Sequence, residues 1–409
     1  MVQRVVVIND VATARGGATG IALLSIRLLR QMNVPVTFLV GDEGNNPELV
    51  ELGVDVVPLG GMHVAGGGSL NAMRRGLYNA PARRLVADWV AAHDGPGVVY
   101  HLHGWSKILS PAIFASLAPV AGRTLLHAHD FFLACPNGAF QNYRRGAECG
   151  QVPLSLGCLS TNCDKRSYAQ KIWRVARQGS LSLTSTRCFA ESPVVMVHER
   201  MAEFFTRAGF CEQRLLAVRN PVTRFTDRRI EAERNRDFFF VGRIEFEKGI
   251  EEAALAAKRA GVRLRILGDG PDRSALEARH PHVEVLGWSS RETIRSVIRD
   301  ARALLMPSRY PEPFGLVAAE ASRSGLPVIL SMNSLLSTEF VQAGLGFACD
   351  TRDIESFAAT IRHVADMPAE NVRAMSERAF SGTVPIATTP STWRDRLLEL
   401  YEERVSRTA

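Results

Sequence analysis

Short apolar runs alternate with amphipathic stretches along most of the chain. The apolar runs predict buried strands at 4–8, 34–40, 54–58, 98–101, 124–127, 194–197, 237–241, 264–267, 283–288, 303–306 and 328–330. Between them, apolar residues at helical spacing predict helices, among them 21–31, 200–208, 250–260, 316–324 and 391–407. Alternating strands and helices favour parallel sheets, and 409 residues suit two domains of about 200 residues each. The pattern therefore predicts an α/β protein with two Rossmann-like domains.

Two glutamates flank a loop that opens into one of these helices. Glu312 lies in the loop after strand 303–306, and Glu320 lies about one turn inside the following helix. In open α/β sheets, ligands bind at the carboxyl ends of the strands. The backbone amides of Phe314, Gly315 and Leu316 at the helix start predict an anion site. Carboxylates beside a diphosphate can accept hydrogen bonds from sugar hydroxyls, so the stretch outlines a nucleotide-sugar site.

A second charged loop follows strand 237–241. It begins with Gly242 and Arg243 and ends with Lys248 and Gly249, directly before the next helix. A guanidinium fork and a lysine point charge suit two neighbouring phosphates. The loop therefore predicts a contact with the diphosphate of the same ligand.

These motifs together resemble a known family. The pattern Glu-Pro-Phe-Gly-Leu-Val-x-Ala-Glu-Ala, with Gly242-Arg243, Lys248-Gly249 and the Leu-Gly-Asp-Gly-Pro turn at 267–271, resembles the signature of glycosyltransferase family 4, which are retaining GT-B enzymes. The resemblance covers nearly the whole chain and is tighter in its second half. It implies two Rossmann-like domains facing a central cleft, with a final helix that returns to the first domain. The predicted bounds are 1–220, with a cysteine-rich insertion at 135–163, then 221–388 and 389–409.

The resemblance also implies roles for individual residues. Arg243 and Lys248 would stabilise the leaving diphosphate, Glu312 would hold sugar hydroxyls, and Glu320 would hold the ribose diol. His129 follows strand 124–127 and would position the sugar and the acceptor. The other donor contacts that it implies are Gly16, Gly17, Gly242, Gly268, Asp269, Leu286, Trp288, Pro313, Phe314, Gly315 and Leu316.

The reaction implied is transfer of a hexose from a UDP- or GDP-linked sugar to a hydroxyl of a saccharide or lipid-linked saccharide, with retention at the anomeric carbon. Surface polysaccharide or glycoconjugate synthesis is the expected setting. The chain contains no Asp-x-Asp pair, so we expect no metal and no other cofactor in catalysis. Two alternatives remain open: a catalytically silent scaffold that binds a sugar nucleotide, and a GT-B sugar-nucleotide epimerase.

The charge is uneven along the chain. The net charge is +7, and residues 1–200 carry 19 Lys and Arg against 13 Asp and Glu. This asymmetry favours peripheral contact with an anionic membrane, although a merely basic surface explains it equally well. Residues 168–177 alternate basic and apolar side chains, and they predict a helix that either lies on lipid or packs on the sheet. No basic motif is interleaved with aromatic residues, so nucleic acid is not an expected partner.

The sequence also favours a location. It has no run of eighteen apolar residues, and it starts with a predicted strand instead of a signal peptide. We therefore expect a cytoplasmic protein, with any membrane contact on the inner face of the cell membrane.

Four of the seven cysteines, Cys135, Cys149, Cys158 and Cys163, cluster in one irregular segment. The gaps of 13, 8 and 4 residues between them do not match two Cys-x-x-Cys knuckles. Four thiols in a short loop with little core of its own nevertheless predict a structural tetrathiolate zinc site. Free thiols or an incidental disulfide are the alternative.

Overall fold

The chain forms two compact units in a computed structural model that describes residues 1–14, 16–63, 70–185 and 189–408. The first unit comprises residues 1–219 together with 390–409, and the second comprises residues 220–389. The predicted boundaries after 220 and 388 each lie one residue away from these divisions.

The strands are β1 (Arg4–Asn9), β2 (Val36–Val40), β3 (Asp55–Pro58), β4 (Val98–Leu102), β5 (Thr124–Ala128), β6 (Gln141–Asn142), β7 (Ala147–Glu148), β8 (Val194–Met196), β9 (Leu215–Ala217), β10 (Asp237–Val241), β11 (Leu264–Leu267), β12 (Glu284–Gly287), β13 (Ala301–Met306), β14 (Val328–Ser331) and β15 (Gly346–Cys349). The α-helices are α1 (Gly17–Gln31), α2 (Pro47–Glu51), α3 (Leu70–Leu77), α4 (Ala80–His93), α5 (Ala112–Leu117), α6 (Leu156–Ser160), α7 (Tyr168–Ser185), α8 (Ala202–Arg207), α9 (Ile250–Ala260), α10 (Arg273–Arg279), α11 (Arg291–Val297), α12 (Leu316–Arg323), α13 (Ser337–Gln342), α14 (Ile354–Asp366), α15 (Ala369–Ser381) and α16 (Pro390–Thr408).

The first unit is built on a seven-stranded sheet with the order β3-β2-β1-β4-β5-β8-β9. Every neighbouring pair is parallel, and Val5 of β1 lies between Val36 of β2 and Val99 of β4. Parallel strands covered on both faces are apolar along their whole length, which is why short apolar runs predicted them.

The second unit has a six-stranded parallel sheet with the order β12-β11-β10-β13-β14-β15. The strand order reverses between β10 and β13, which are direct neighbours. A reversal of this kind opens a crevice at the carboxyl ends of the two strands, where ligands of doubly wound sheets bind. The two charged loops singled out by the sequence follow these two strands.

Helix α1 begins four residues earlier than the helical spacing predicts. Its first residue is Gly17 instead of Ile21, and the amide of Gly20 already donates to the carbonyl of Gly16 at 3.1 Å. Apolar periodicity marks only the buried face of a helix, and the first turn, Gly-Ala-Thr-Gly, carries no large apolar side chain to mark it.

The C-terminal helix α16 belongs to the first unit. It packs against the turn Ala118–Arg123, α1 and β4, and its aromatic side chains Trp393 and Tyr401 are fully buried. The hydroxyl of Tyr401 lies 2.7 Å from Nδ1 of His101, a buried residue of β4. This bond joins two positions that are 300 residues apart in the sequence.

Replacing Tyr401 with phenylalanine should destabilise the first unit by about 1–3 kcal/mol, because Nδ1 of His101 would be left buried without its partner. The loss should appear as a lower denaturation midpoint in calorimetry. The matched control is Tyr78→Phe, since Tyr78 is exposed, its hydroxyl accepts from Arg83 at 2.6 Å, and the loss of such a surface hydrogen bond should cost less than about 0.5 kcal/mol. Equal midpoints for the two variants would contradict the anchoring role of Tyr401.

Candidate functional site

The loops at the carboxyl edge of the second sheet pack backbone against backbone. Gly249 has a φ of +69°, and a Cβ atom there would lie 2.0 Å from the carbonyl oxygen of Pro307. A Cβ atom on Gly268 would lie 1.8 Å from the carbonyl oxygen of Gly242. Larger residues cannot occupy these positions without moving the backbone. Gly249 and Gly268 therefore allow the loops after β10, β11 and β13 to pack this closely.

Lys248 and Glu312 meet at this edge. Nζ of Lys248 donates to Oε2 of Glu312 at 2.7 Å and to the hydroxyl of Tyr310 at 2.9 Å. The hydroxyl of Ser308 donates to the same glutamate oxygen at 2.7 Å. Burial alone would raise the pKa of Glu312, but the charge and hydrogen bonds of these neighbours outweigh burial and lower it. Glu312 is therefore an ionised, oriented carboxylate that holds the lysine in place.

Arg243 lies on the same loop as Lys248 but does not contact it. Its Nη1 donates to Glu245 at 2.6 Å, and its side chain is 51% exposed. A half-exposed guanidinium at a strand exit can turn towards an anion at low cost. The loop after β10 therefore carries a fixed cation, Lys248, and an accessible cation, Arg243.

Glu320 lies in a different environment from Glu312. Its side chain is 18% exposed, and its Oε1 accepts from Nη2 of Arg291 at 3.1 Å. Burial raises the pKa of Glu320 to about 7, because Arg291 offsets only part of the lost hydration. The two carboxyl groups of the motif therefore have pKa values shifted in opposite directions, which is typical of groups with different chemical tasks.

Helix α12 begins between these two glutamates. Its N-cap, Gly315, has a φ of +71° and no side chain with which to cap the first turn, and a Cβ atom there would lie 2.7 Å from Sδ of Met306. Pro313 and Phe314 are buried beneath the turn, while Leu316 is partly exposed. An uncapped helix start of this kind can receive an anion.

The remaining predicted donor contacts of the second unit lie on the neighbouring strand ends. Leu286 is partly buried in the edge strand β12, and Trp288 follows that strand with its side chain 72% exposed. Asp269 follows β11, and its Oδ1 accepts from the amide of Gly270 at 2.8 Å. Gly242 lies at the exit of β10, against Gly268. The exposed indole of Trp288 is the group among them that could stack on a base.

In the first unit, His129 follows β5 and belongs to a group of four stacked histidines. Nε2 of His129 lies 2.9 Å from Nδ1 of His103, and Nε2 of His101 lies 3.1 Å from Nδ1 of His127. Burial lowers the pKa of all four rings, to about 3 for His101 and His129. The rings are therefore neutral at physiological pH, and each bond joins a donor nitrogen to an acceptor nitrogen.

One nitrogen of each of His101, His103 and His127 lies within 4.8 Å of the other two, a spacing that could hold a metal ion. The hydrogen bond between His101 and His127, together with the ring contacts that His103 makes with both, already accounts for this closeness. The geometry is therefore that of a hydrogen-bonded histidine group.

Gly16 and Gly17 lie after β1 at the start of α1, and no side chain of the described residues caps that helix.

Asp10, which directly follows β1, has a structural role that the sequence did not reveal. Its buried carboxylate accepts from the backbone amides of Lys107, Ile108 and Leu109 at 2.8–3.0 Å and orders the segment after β4.

Arg291, Ser308 and Tyr310 are the other residues that sequence reasoning missed. Arg291 starts helix α11 and hydrogen-bonds to both Thr223 and Glu320. Ser308 and Tyr310 lie inside the motif loop, but only the fold shows that both contact the Lys248–Glu312 pair. A polar residue in a motif loop does not by itself indicate a role, because the sequence does not show which residue it contacts.

The four clustered cysteines fit a tetrathiolate zinc site poorly. All four lie in the described part of the chain, and no three of their sulfur atoms come within 4.8 Å of one another. Instead, Sγ of Cys158 and Sγ of Cys163 each lie 3.3 Å from Nζ of Lys171, and Sγ of Cys135 contacts Asn137. The zinc site stays a prediction, which the sulfur positions do not favour.

Helix α7 packs against the body of the first unit on its basic side. Lys171 and Arg177 are buried, whereas Ile172 is exposed. Of the two arrangements that the sequence left open for 168–177, these burials favour packing over a lipid-facing surface. None of the helices in the described part of the chain combines the length and apolar character needed to cross a bilayer.

Comparison with known proteins connects this site to a family. Residues 223–381 match the family model described as Glycosyl transferases group 1. The chain is 28% identical over 283 residues to glycogen synthase of Mycobacterium tuberculosis, covering 63% of this chain and 64% of that protein. It therefore spans less than two thirds of that relative. Over 154 residues it is 38% identical to D-inositol 3-phosphate glycosyltransferase of Mycolicibacterium smegmatis, covering 34% of this chain and 35% of that one.

Solved structures share the fold over almost the whole chain. HepE of Anabaena, in complex with UDP and glucose, has a TM-score of 0.65 at 16% identity and covers 97% of this chain and 99% of its own. Sucrose-phosphate synthase of Thermosynechococcus elongatus has a TM-score of 0.69 at 15% identity and covers 99% of this chain and 100% of its own. The predicted two-domain GT-B fold is confirmed.

Proposed function

We propose, from the match of residues 223–381 to the Glycosyl transferases group 1 model and from the GT-B fold, that the whole protein is a retaining glycosyltransferase of family 4. It moves a hexose from a UDP- or GDP-linked sugar to a hydroxyl of a saccharide or lipid-linked saccharide. It needs no metal for catalysis. The binding of UDP and glucose by the Anabaena protein supports a sugar nucleotide as donor.

The observation that carries this proposal is the Lys248–Glu312 pair beside the start of α12, at the point where the strand order of the second sheet reverses. The transition state of sugar transfer develops negative charge on the departing diphosphate, so its stabilisation is the largest catalytic task. Lys248 and the first amides of α12 receive this charge, and Arg243 turns from Glu245 to join them. Glu312 holds sugar hydroxyls, and Glu320 holds the ribose diol.

His129 acts on the sugar and the acceptor as a neutral ring. Because its pKa is lowered to about 3, it is not an imidazolium acid at neutral pH. One ring nitrogen is engaged with His103, so the other is left to bond a hydroxyl. In this scheme the donor's own phosphate accepts the proton of the acceptor hydroxyl on the face that the leaving group occupied, which accounts for retention.

We place the acceptor at the inner face of the cell membrane, in surface polysaccharide or glycoconjugate synthesis. The support is the excess of basic residues in the first half of the chain, with 19 Lys and Arg against 13 Asp and Glu in residues 1–200. A lipid-linked saccharide with a diphosphate linker would be attracted to such a surface.

A thermal-shift panel of UDP, GDP and ADP with their common sugar derivatives tests the donor assignment. A ligand at 100 times its dissociation constant should stabilise the protein by about 2.7 kcal/mol. We expect one nucleotide to shift the wild type strongly and Glu320→Ala weakly. Glu292→Ala is the matched control, because Glu292 is an exposed glutamate on α11. If no nucleotide shifts the folded wild type, the proposal fails, and binding without any transfer would favour a silent scaffold.

A further inference from the structure

A buried lysine lies between two thiols in the first unit. Lys171 of α7 is only 1% exposed, and its Nζ lies 3.3 Å from Sγ of Cys158 and 3.3 Å from Sγ of Cys163. Both cysteines are also buried. Cys158 belongs to α6, and Cys163 belongs to the segment that joins α6 to α7. The amine and the two sulfurs therefore form one compact cluster inside the protein.

These partners are unusual for a buried amine. Burying an ammonium group is costly unless a strong acceptor compensates it, and sulfur is a weak acceptor. The neighbouring carboxylate, Asp164, is itself buried and pairs with Nε of Arg174 at 3.0 Å. A simple ion pair thus does not explain why the lysine is buried here. The cluster instead brings a nucleophilic nitrogen into contact with two oxidisable sulfurs.

We propose that Lys171 and one of these two thiols form a covalent sulfur–nitrogen bond when the protein meets a peroxide. In the first step, a peroxide oxygen is transferred to Sγ, so that the thiol becomes a sulfenic acid and the peroxide is reduced to water. In the second step, the Lys171 ammonium releases one proton to solvent, the lone pair freed on Nζ attacks Sγ, and the S–O bond breaks. The hydroxyl leaves with one amine proton as a second water, and the product is a sulfenamide.

The geometry favours this product over others. Sulfenic acids condense with a nearby nitrogen or a nearby thiol, and the partner already in contact reacts first. Both sulfurs lie 3.3 Å from the same Nζ, so a sulfenic acid formed on either cysteine is in position to react with Lys171. The bond would tie α7 to the cysteine-bearing insertion, and a thiol reductant would break it.

Tryptic peptides distinguish this bond from a disulfide. Cleavage after Arg145 and Lys165 releases the peptide 146–165, which contains Cys149, Cys158 and Cys163 together. A disulfide among these three stays inside that peptide. A bond to Lys171 instead joins it to 167–174, because trypsin cannot cleave at a modified lysine.

The experiment treats the purified full-length protein with hydrogen peroxide, alkylates free thiols, digests it with trypsin and measures peptide masses. We expect 146–165 joined to 167–174, with a mass two hydrogen atoms below the sum of the two peptides, and release by dithiothreitol. Lys171→Arg keeps the positive charge and should abolish the joined pair. Single Cys158→Ser and Cys163→Ser variants should retain it through the other thiol, and the double variant should lose it.

Cys349 is an internal control, since it is a buried free thiol of the second unit whose side chain hydrogen-bonds to Thr360. Its peptide should remain unlinked. The proposal is overturned if 167–171 is released normally after oxidation while the cysteines form a disulfide. It is equally overturned if the isolated protein carries one zinc ion per chain and its thiols resist peroxide.

Discussion

Replacing Lys248 with alanine should lower kcat for sugar transfer by about 10²–10³-fold, the usual loss when one fixed group that stabilises developing charge is removed. The lysine is held 2.7 Å from Glu312 and 2.9 Å from the hydroxyl of Tyr310, so it cannot swing away to solvent. A preorganised cation of this kind acts mainly on the charge that appears on the leaving diphosphate. The effect on kcat should therefore exceed the effect on nucleotide affinity, which steady-state kinetics and calorimetric titration can separate.

Two controls decide whether the charge or the ion pair matters. Lys258→Ala removes an exposed lysine from α9, the helix that the Lys248 loop enters, and should leave kcat unchanged. The double variant Lys248→Met with Glu312→Gln removes both charges and so avoids leaving a buried unpaired carboxylate. It should fold normally, and its kcat should be no higher than that of Lys248→Ala. Recovery of activity in the double variant would show that Lys248 only compensates Glu312, and the catalytic assignment would be wrong.

The strands and the motif loops could be predicted because their signals are local. Residues 237–241 form β10 as the apolar run predicted, and 4–8 extend by one residue in β1. Arg243 follows Gly242 at a strand exit, Lys248 precedes Gly249 at a helix start, and Glu312 lies in the loop after β13, so these loops could be placed at a sheet edge. Which of them would touch could not be predicted, because the Lys248–Glu312 contact spans 64 residues.

Most of the contacts that the sequence did not reveal are hydrogen bonds between residues far apart in the chain. Arg291 reaches Glu320 from another helix, and His101 reaches Tyr401 across nearly the whole chain. Neither contact leaves a spacing pattern in the sequence. The same holds for the cysteine segment. Lys171 belongs to a helix with alternating basic and apolar residues, and the spacing of the cysteines does not predict that it lies between two of them.

The affinity for a sugar nucleotide should rise about tenfold per pH unit between pH 5 and pH 7 and level off above. The free protein keeps the pKa of Glu320 at about 7, because burial disfavours its charged form. Ribose hydroxyls donate hydrogen bonds, so the bound state favours the carboxylate. Below pH 7, binding must therefore release a proton, and this cost grows as the pH falls. Above pH 7 the carboxyl is already ionised and the cost vanishes.

Isothermal titration with an intact sugar nucleotide, whose phosphodiester groups do not titrate in this range, measures the effect without interference from the ligand. Titrations at pH 6 in two buffers of different ionisation enthalpy should show that the protein releases close to one proton to the buffer for each ligand bound. Glu320→Gln should bind more weakly at pH 8 and lose the pH dependence, whereas Glu292→Gln should keep both properties of the wild type. A slope that survives in Glu320→Gln would assign the titration to another group. It would also remove Glu320 from the ribose site, since a carboxylate that accepts from the diol must lose its proton on binding.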